Sequence, residues 1–341
     1  MIAMLVEPPA GDHARLRRAD ISPPAPSCGE ILVRAAASGV NRADALQRRG
    51  RYRQPALERD DGFLVAGMEV AGIVDDVGDN VEGWSRGDHV MAMCGGSYAE
   101  LAVVDAALAM RPPAALDQRQ AACLPVALMT AYDAVALAGQ VRPGQFVLVT
   151  GASSVVGLMA CQVAQSLGAF PVLGLSRSEH GRAAISATGA LALDTRAPLA
   201  SELGKLDALT DRRRPDLVID HVGGDVAAQA IACLNLGGRL VSVGRLGGRT
   251  LQLDLNELAR KRLHLVGTTF RTRGLHAYRL IADDVRRSLL PLVASERVGG
   301  QPGERIAPPG IDRLFPLDKA NEAIDYTLTR SSPGKVVLDV N

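Results

Sequence analysis

The residues from Gln145 to Gly168 constrain this chain most. An apolar run, Phe146-Val147-Leu148-Val149, meets Thr150-Gly151-Ala152-Ser153-Ser154-Val155-Val156-Gly157. Leu158, Met159, Cys161, Gln162, Val163, Gln165, Ser166 and Leu167 then continue with clustered apolar side chains for about three turns, and Gly168 stands at a C-cap position. The segment predicts strand, tight turn and helix. A unit of this kind opens a dinucleotide-binding βαβ fold, because free backbone N–H groups and the positive end of the helix dipole together bind a pyrophosphate. The glycine positions of G-x-G-x-x-G fall here on Ala152, Ser154 and Gly157, so only the third survives and the pattern alone is weak. Any buried strand followed by a helix would read the same way, and the rest of the chain must decide.

A chain of 341 residues exceeds one ordinary core, so two domains are expected. Hydrophobic residues make up 47% and charged ones 22%, the balance of a globular protein with ample core. The net charge of +1 and scattered arginines give no footprint for nucleic acid or a membrane surface, and Arg212-Arg213-Arg214 reads as a solvated loop. The N-terminus lacks a basic region followed by an apolar core, and no window of about eighteen uncharged apolar residues occurs, so a cytoplasmic protein is expected. Five cysteines, odd in number and in no C-x-x-C pair, predict buried thiols.

Residues 1–100 read as β-rich and barrel-like, with short runs such as Glu30 to Ala35 and Val70 to Val74 between Pro and Gly clusters. Ala37 to Asp44 leaves a strand for a short helix, and an arginine-rich loop around Tyr52 follows. Gln120 to Val135 has helical composition with one interior proline, which predicts two helices meeting near Pro125. Apolar runs then alternate with helical stretches: Phe146 to Val149, Phe170 to Leu175, Leu191 to Leu193, Leu217 to Asp220, Arg239 to Val243 and Leu263 to Gly267. That alternation predicts an α/β fold with a doubly wound parallel sheet. The tail offers a helix near Leu280 to Leu292, a Gly/Pro-rich loop from Gly299 to Gly310, a helix from Asp318 to Leu328 and a last strand, Lys335 to Val340.

Five motifs in this order carry a resemblance: AASGVNRADALQRRGRY (36–52), GMEVAGIVDDVGDNVEGWSRGDHV (67–90), LPVALMTAYDAV (124–135), VLVTGASSVVGLMACQVAQSLGA (147–169) and PGKVVLDV (333–340). Over nearly its whole length the chain resembles the medium-chain dehydrogenase/reductase superfamily, and within it the zinc-free, zeta-crystallin-like quinone oxidoreductases. The resemblance implies a Rossmann domain over 125–270, inserted in a β-rich GroES-like catalytic domain made of 1–124 and 271–341. Zinc-dependent relatives would carry a cysteine at the Asn41 position, a histidine at the Met68 position and a four-cysteine lobe after Val90. Asn41 and Met68 cannot supply a tetrahedral zinc site, although Asp44 and Glu69 stand nearby in sequence, so no metal is expected.

Beyond the second strand, NAD enzymes place an Asp or Glu for the ribose 2′-hydroxyl. Here stand Ser176-Arg177-Ser178, and hydroxyls with a guanidinium suit a 2′-phosphate, so NADPH is expected; the plainer reading is a polar turn, with Glu179 next. Family members often carry a lysine where Gly181 stands, which shifts the burden to Arg177, with Arg182 as a helper. The pyrophosphate contacts are assigned to Gly151, Ala152, Ser153, Ser154, Val155, Val156 and Gly157, with the Ser154 hydroxyl donating to phosphate. By resemblance Thr130 lies near the nicotinamide, Gly244 in the turn after a late strand, and Phe270-Arg271 beside the ring. Their plainer readings are a helix hydroxyl bonding backward, an ordinary turn and core packing.

Hydride transfer leaves the protein to position the acceptor, exclude water and stabilise developing negative charge. Asn41 and Tyr52 are the candidate donors to an acceptor oxygen, against plainer roles as a cap or loop residue and as surface packing. Asp44 is read as bonding nearby backbone, and His221, in a turn that resembles the family's adenine side, is kept out of catalysis. These readings converge on NADPH-dependent reduction of quinones or related conjugated carbonyls. Reduction of 2-alkenal or enoyl double bonds is the alternative, as is a non-catalytic NADPH-binding protein with a structural or RNA-binding role. The resemblance also implies a homodimer joined through the edge strand near Leu263 to Gly267.

Overall fold

A computed structural model describes residues 1–7, 11, 13–59, 62–293, 303–329 and 333–340. Its first third is antiparallel: β1 (Ile2–Val6), β2 (Leu16–Asp20), β3 (Glu30–Val40), β4 (Leu64–Val65), β5 (Glu69–Val77), β6 (His89–Met93), β7 (Leu101–Asp105) and β8 (Ala109–Met110), with helix α1 (Arg42–Arg48) after β3. Helices α2 (Gln118–Ala121) and α3 (Pro125–Tyr132) follow, and Pro125 occupies the first turn of α3, where its missing N–H leaves no bond unmade. A π-helical turn, Asp133–Ala138, continues α3. The run Gln118–Ala138 is long and apolar enough to cross a membrane, yet 72% of its apolar window is buried inside the protein.

Then six parallel strands appear: β9 (Val147–Thr150), β10 (Val172–Ser176), β11 (Leu191–Asp194), β12 (Leu217–Asp220), β13 (Arg239–Ser242) and β14 (His264–Gly267). Between them run α4 (Val155–Ser166), α5 (Glu179–Ala187), α6 (Leu199–Gly204), α7 (Asp207–Thr210), α8 (Gly224–Ala232) and α9 (Leu255–Lys261). The strand order is β11-β10-β9-β12-β13-β14, so the winding reverses between β9 and β12 and opens a crevice at their C-terminal ends. Successive side chains point to opposite faces of the sheet. Phe146, Leu148, Val218 and Leu240 pack with α8 on one side. Val147, Val149, Ile219 and Val241 pack on the other with α3, α4 and the antiparallel domain's Ala37, Met68, Met91 and Met110.

The tail consists of α10 (Leu275–Ser288), β15 (Ile311–Pro316), α11 (Ala320–Thr329) and β16 (Lys335–Asp339). Strand β16 pairs antiparallel with β3, so the chain's end completes the sheet its beginning started: Val337 lies opposite Gly39. The fold is therefore a Rossmann-like parallel sheet domain beside a separate antiparallel sheet domain, as the α/β alternation predicts.

Boundaries differ in several places. Strand β10 begins at Val172 and leaves Phe170 outside, 67% exposed. Helix α10 begins at Leu275 and ends at Ser288 instead of running near Leu280 to Leu292. Strand β15, parallel to β16, was not anticipated, because its half-exposed residues carry no clear alternation. Of the predicted Gly299 to Gly310 loop, residues 299–302 lie outside the described residues, and Gly303 to Gly310 docks on α4. There the Ala307 N–H donates to Gln162 Oε1 (2.8 Å), Gln162 Nε2 donates to the Ala307 carbonyl (3.2 Å), and Ile306 is fully buried.

Candidate active site

The turn after β9 forms one wall of the crevice. Gly151 has φ +58°, and a Cβ there would lie 3.1 Å from Val222 Cγ2, so both backbone and space call for glycine. A Cβ on Gly157 would stand 2.6 Å from the Gly151 carbonyl, which accounts for the surviving third glycine: it lets α4 start hard against the turn. Ala152 is fully buried, its N–H bonded to Leu175 O at 3.1 Å. The first-turn N–H groups of a helix lack intrahelical acceptors, which leaves those of Val155 and Val156 for an anion.

Ser154 departs from expectation. It is the N-cap of α4: its oxygen accepts from Gly157 N–H (3.1 Å) and its hydroxyl donates to the Gly151 carbonyl (2.9 Å). A hydroxyl has one proton, and this one is engaged within the turn, so the assignment of Ser154 as a phosphate donor is corrected. Ser153 accepts from Ser176 (3.1 Å), and its own O–H is unengaged among the described residues.

At the end of β10, Ser176 is buried and Ser178 caps α5 by accepting from Gly181 N–H (3.0 Å). Arg177 is exposed and has no ion-pair partner among the described residues. Arg182 is engaged instead: it donates to the Ser176 and Arg177 carbonyls (3.3 and 3.2 Å) and pairs with Asp194 at 3.2 Å, so it stiffens the strand end rather than helping Arg177. A Cβ on Gly181 would lie 2.3 Å from Ser176 Oγ and 2.8 Å from Ser153 Cβ, which leaves no room for a lysine there.

Across the switch point, Thr150 donates to Asp220 Oδ1 (2.6 Å) and accepts from His221 N–H (3.0 Å), while Asp220 also receives the N–H groups of Val222 (3.1 Å) and Gly223 (3.0 Å). Gly244 closes on this turn, since a Cβ would sit 2.4 Å from the His221 carbonyl. Burial pushes the His221 imidazole down to about 4, so it is uncharged near pH 7.

The other wall comes from the antiparallel domain. Asn41 precedes α1, and Asp44 reaches back to its N–H at 2.6 Å, as expected for a residue that bonds nearby backbone. The Asn41 amide donates to Glu69 Oε1 (2.8 Å) and Gly39 O (3.3 Å), and its oxygen accepts from Lys335 Nζ (2.6 Å). Both ends are engaged, so the assignment of Asn41 as a donor to the acceptor is corrected; it is a strut. Lys335 also pairs with Glu69 at 2.6 Å, with side chains 3% and 0% exposed, and Glu69 Oε2 accepts the Val126 N–H (2.9 Å) in the first turn of α3. Lys335 was missed as a site residue, although a lysine opening an otherwise apolar closing strand was the available signal.

The ammonium of Lys335 holds the oxygens of Asn41 and Glu69 that a cation near Met68 would need. Together with thioether and amide in place of stronger donors, this does not fit a zinc site. Among the described residues no group of three or more His, Cys, Asp or Glu could hold a metal.

Tyr52 is half-buried, packs against the core between the sheets, and its hydroxyl has no partner among the described residues. Burial, and secondarily the Asp44 charge, push it up to about 12 against the pull of nearby Arg271, so it stays a donor. Thr130, in α3, is half-buried and its hydroxyl is likewise unpartnered among the described residues. The Phe270 ring is 6% exposed and tilts against Tyr278 at 5.1 Å, which is core packing; Arg271 beside it is exposed.

Comparison with known proteins agrees with this arrangement. The alcohol dehydrogenase GroES-like domain family matches residues 27–114, and the zinc-binding dehydrogenase family matches residues 155–287. A quinone oxidoreductase-like protein 2 homolog of Nematostella vectensis is 32% identical over 315 residues, covering 91% of this chain and 81% of that protein. Human quinone oxidoreductase is 28% identical over 325 residues, covering 94% and 92%. Among solved structures, an alcohol dehydrogenase superfamily protein from Novosphingobium aromaticivorans superposes with a TM-score of 0.82 at 28% identity, and the quinone oxidoreductase from Thermus thermophilus, also solved in complex with NADPH, with 0.77 at 29%; each covers 100% of both chains.

Proposed function

We propose that this chain, which belongs to the medium-chain dehydrogenase/reductase superfamily and to its zeta-crystallin-like quinone oxidoreductases, is an NADPH-dependent, zinc-independent reductase of quinones or similar conjugated carbonyls. Its standing as an oxidoreductase follows from the family; the cofactor, metal and acceptor are our reading. The observation that carries the reading is the pairing of a Tyr52 hydroxyl on one wall with Arg177 beyond the phosphate turn on the other, both without a partner among the described residues.

The residues fit a dinucleotide. The turn Gly151 to Gly157 offers N–H groups to the pyrophosphate, and Arg177 offers its fork to a 2′-phosphate. Bound NADPH would supply the hydride. The Tyr52 hydroxyl then donates to the acceptor oxygen as negative charge builds there, and the Arg271 cation nearby eases that charge. A quinone needs such donors more than a strong acid. Lys335, Glu69 and Asn41 hold the floor of the cleft in place of a metal.

Monitoring NADPH oxidation against a panel of quinones tests the activity. Turnover of enones and alkenals with no quinone reduced would move the assignment to double-bond reduction. A stoichiometric, tightly bound zinc found by elemental analysis would overturn the zinc-free reading. The parallel sheet ends at β14, where Leu265 is 42% exposed, and we propose pairing of two copies along this edge; a monomer by light scattering would refute it.

A further inference from the structure

A line of side chains crosses the cleft behind the proposed site. It starts at Asp133, three residues beyond Thr130, whose buried carboxylate receives the Thr268 hydroxyl and the Arg273 guanidinium. Arg273 lies over the Phe270 ring, 5.6 Å from its centroid. Phe270 packs on Tyr278, and the Tyr278 hydroxyl donates to the Phe270 carbonyl at 2.6 Å. That hydroxyl has one proton, so it can only accept from the far side, and it does: Gln54 Nε2 donates to it at 3.0 Å.

Gln54 is 1% exposed although it sits in the loop that carries Tyr52. Its carbonyl accepts the N–H groups of Leu57 (2.8 Å) and Glu58 (3.1 Å), and its own N–H donates to Glu58 Oε1 (2.7 Å), so the loop is wound tightly around it. Its Oε1 is buried with no partner among the described residues, where the bond to Tyr278 is what holds the amide inward. The Tyr52 loop is thus pinned to the segment that runs beside the cofactor crevice.

We propose that Gln54 and Tyr278 are positioning residues that transmit cofactor occupancy of the crevice, through the segment that follows β14, to the pose of Tyr52. The inference rests on the function proposed above. The experiment is hydrogen–deuterium exchange on the full chain with and without NADPH, for the wild type, Tyr278→Phe and Gln54→Leu, with acceptor kinetics alongside. In the wild type, NADPH slows exchange in residues 268–278 and also in 51–58. In either variant the slowing stops at 268–278, and acceptor kcat falls about fivefold while KM changes less than about twofold, as for a loosened donor that acts on the transition state. Gln54→Leu carries the test should Tyr278→Phe not fold. Wild-type slowing confined to 268–278, or an equal spread to 51–58 in a folded variant, would overturn the inference alone. Wild-type protein that binds no NADPH would overturn the cofactor reading and this inference with it.

Discussion

The two walls of the cleft are built on different principles. On the parallel-sheet side the site is backbone: a turn, a helix start and a glycine that admits close packing, while the hydroxyls of Ser154 and Ser178 serve as helix caps. On the antiparallel side the site is side chain: a buried ion pair, an amide strut and a phenol, drawn from positions as far apart as Asn41 and Lys335. A wall made of backbone tolerates exchange of most side chains along it. A wall made of buried charges fails when one partner is removed, because the other is left unsolvated.

The sharpest way to break this contrast is Lys335→Met. With Glu69 left charged at 0% exposure, unfolding free energy in denaturant titration should fall by about 3–5 kcal/mol, and the double variant with Glu69→Gln should recover much of it. A single variant as stable as the wild type would show the pair to be dispensable.

Tyr52→Phe should leave the fold intact and lower kcat/KM for a quinone by about 100-fold, the scale for one donor aimed at developing negative charge. An unchanged rate would move the donor elsewhere. Arg177→Ala should weaken NADPH by about 10- to 100-fold in calorimetry and leave NADH unchanged, the loss of a charge-assisted bond to phosphate. Equal weakening of both cofactors would refute the 2′-phosphate role.

The smallest effect belongs to Ser154→Ala. Loss of the N-cap should lower stability by about 1 kcal/mol while NADPH affinity stays within about twofold, since the hydroxyl already bonds inside the turn. A tenfold loss of affinity would restore the phosphate contact.

What could be read from the sequence divides along the same line. The strand, turn and helix at residues 145–168 are local, and period and glycine placement announce them. The parallel sheet followed from the alternation of runs, whereas its strand order, β11-β10-β9-β12-β13-β14, did not. Asn41 was singled out, but not its partners: its bonds to Glu69 and Lys335 span 28 and 294 positions, and no local pattern records a pair so distant. Gln54 was invisible for a related reason. A glutamine in an arginine-rich loop reads as solvated, and only contact with Tyr278, 224 residues away, buries it. Strand β15 escaped because it lies at a sheet edge, where half-exposed residues keep no strict alternation.

The pairing of β16 with β3 also bears on how the protein is made. Because β3 lies between β16 and β5, the antiparallel sheet cannot close until the last strand has left the ribosome, whereas residues 145–270 already hold every strand of the parallel sheet. Contacts of such long sequence separation form slowly, so the nascent chain carries an open edge at β3 until β16 is made. A product that stopped short of Lys335 would keep that edge open and leave Glu69 with no counter-ion, which makes the final strand the step that commits the whole molecule.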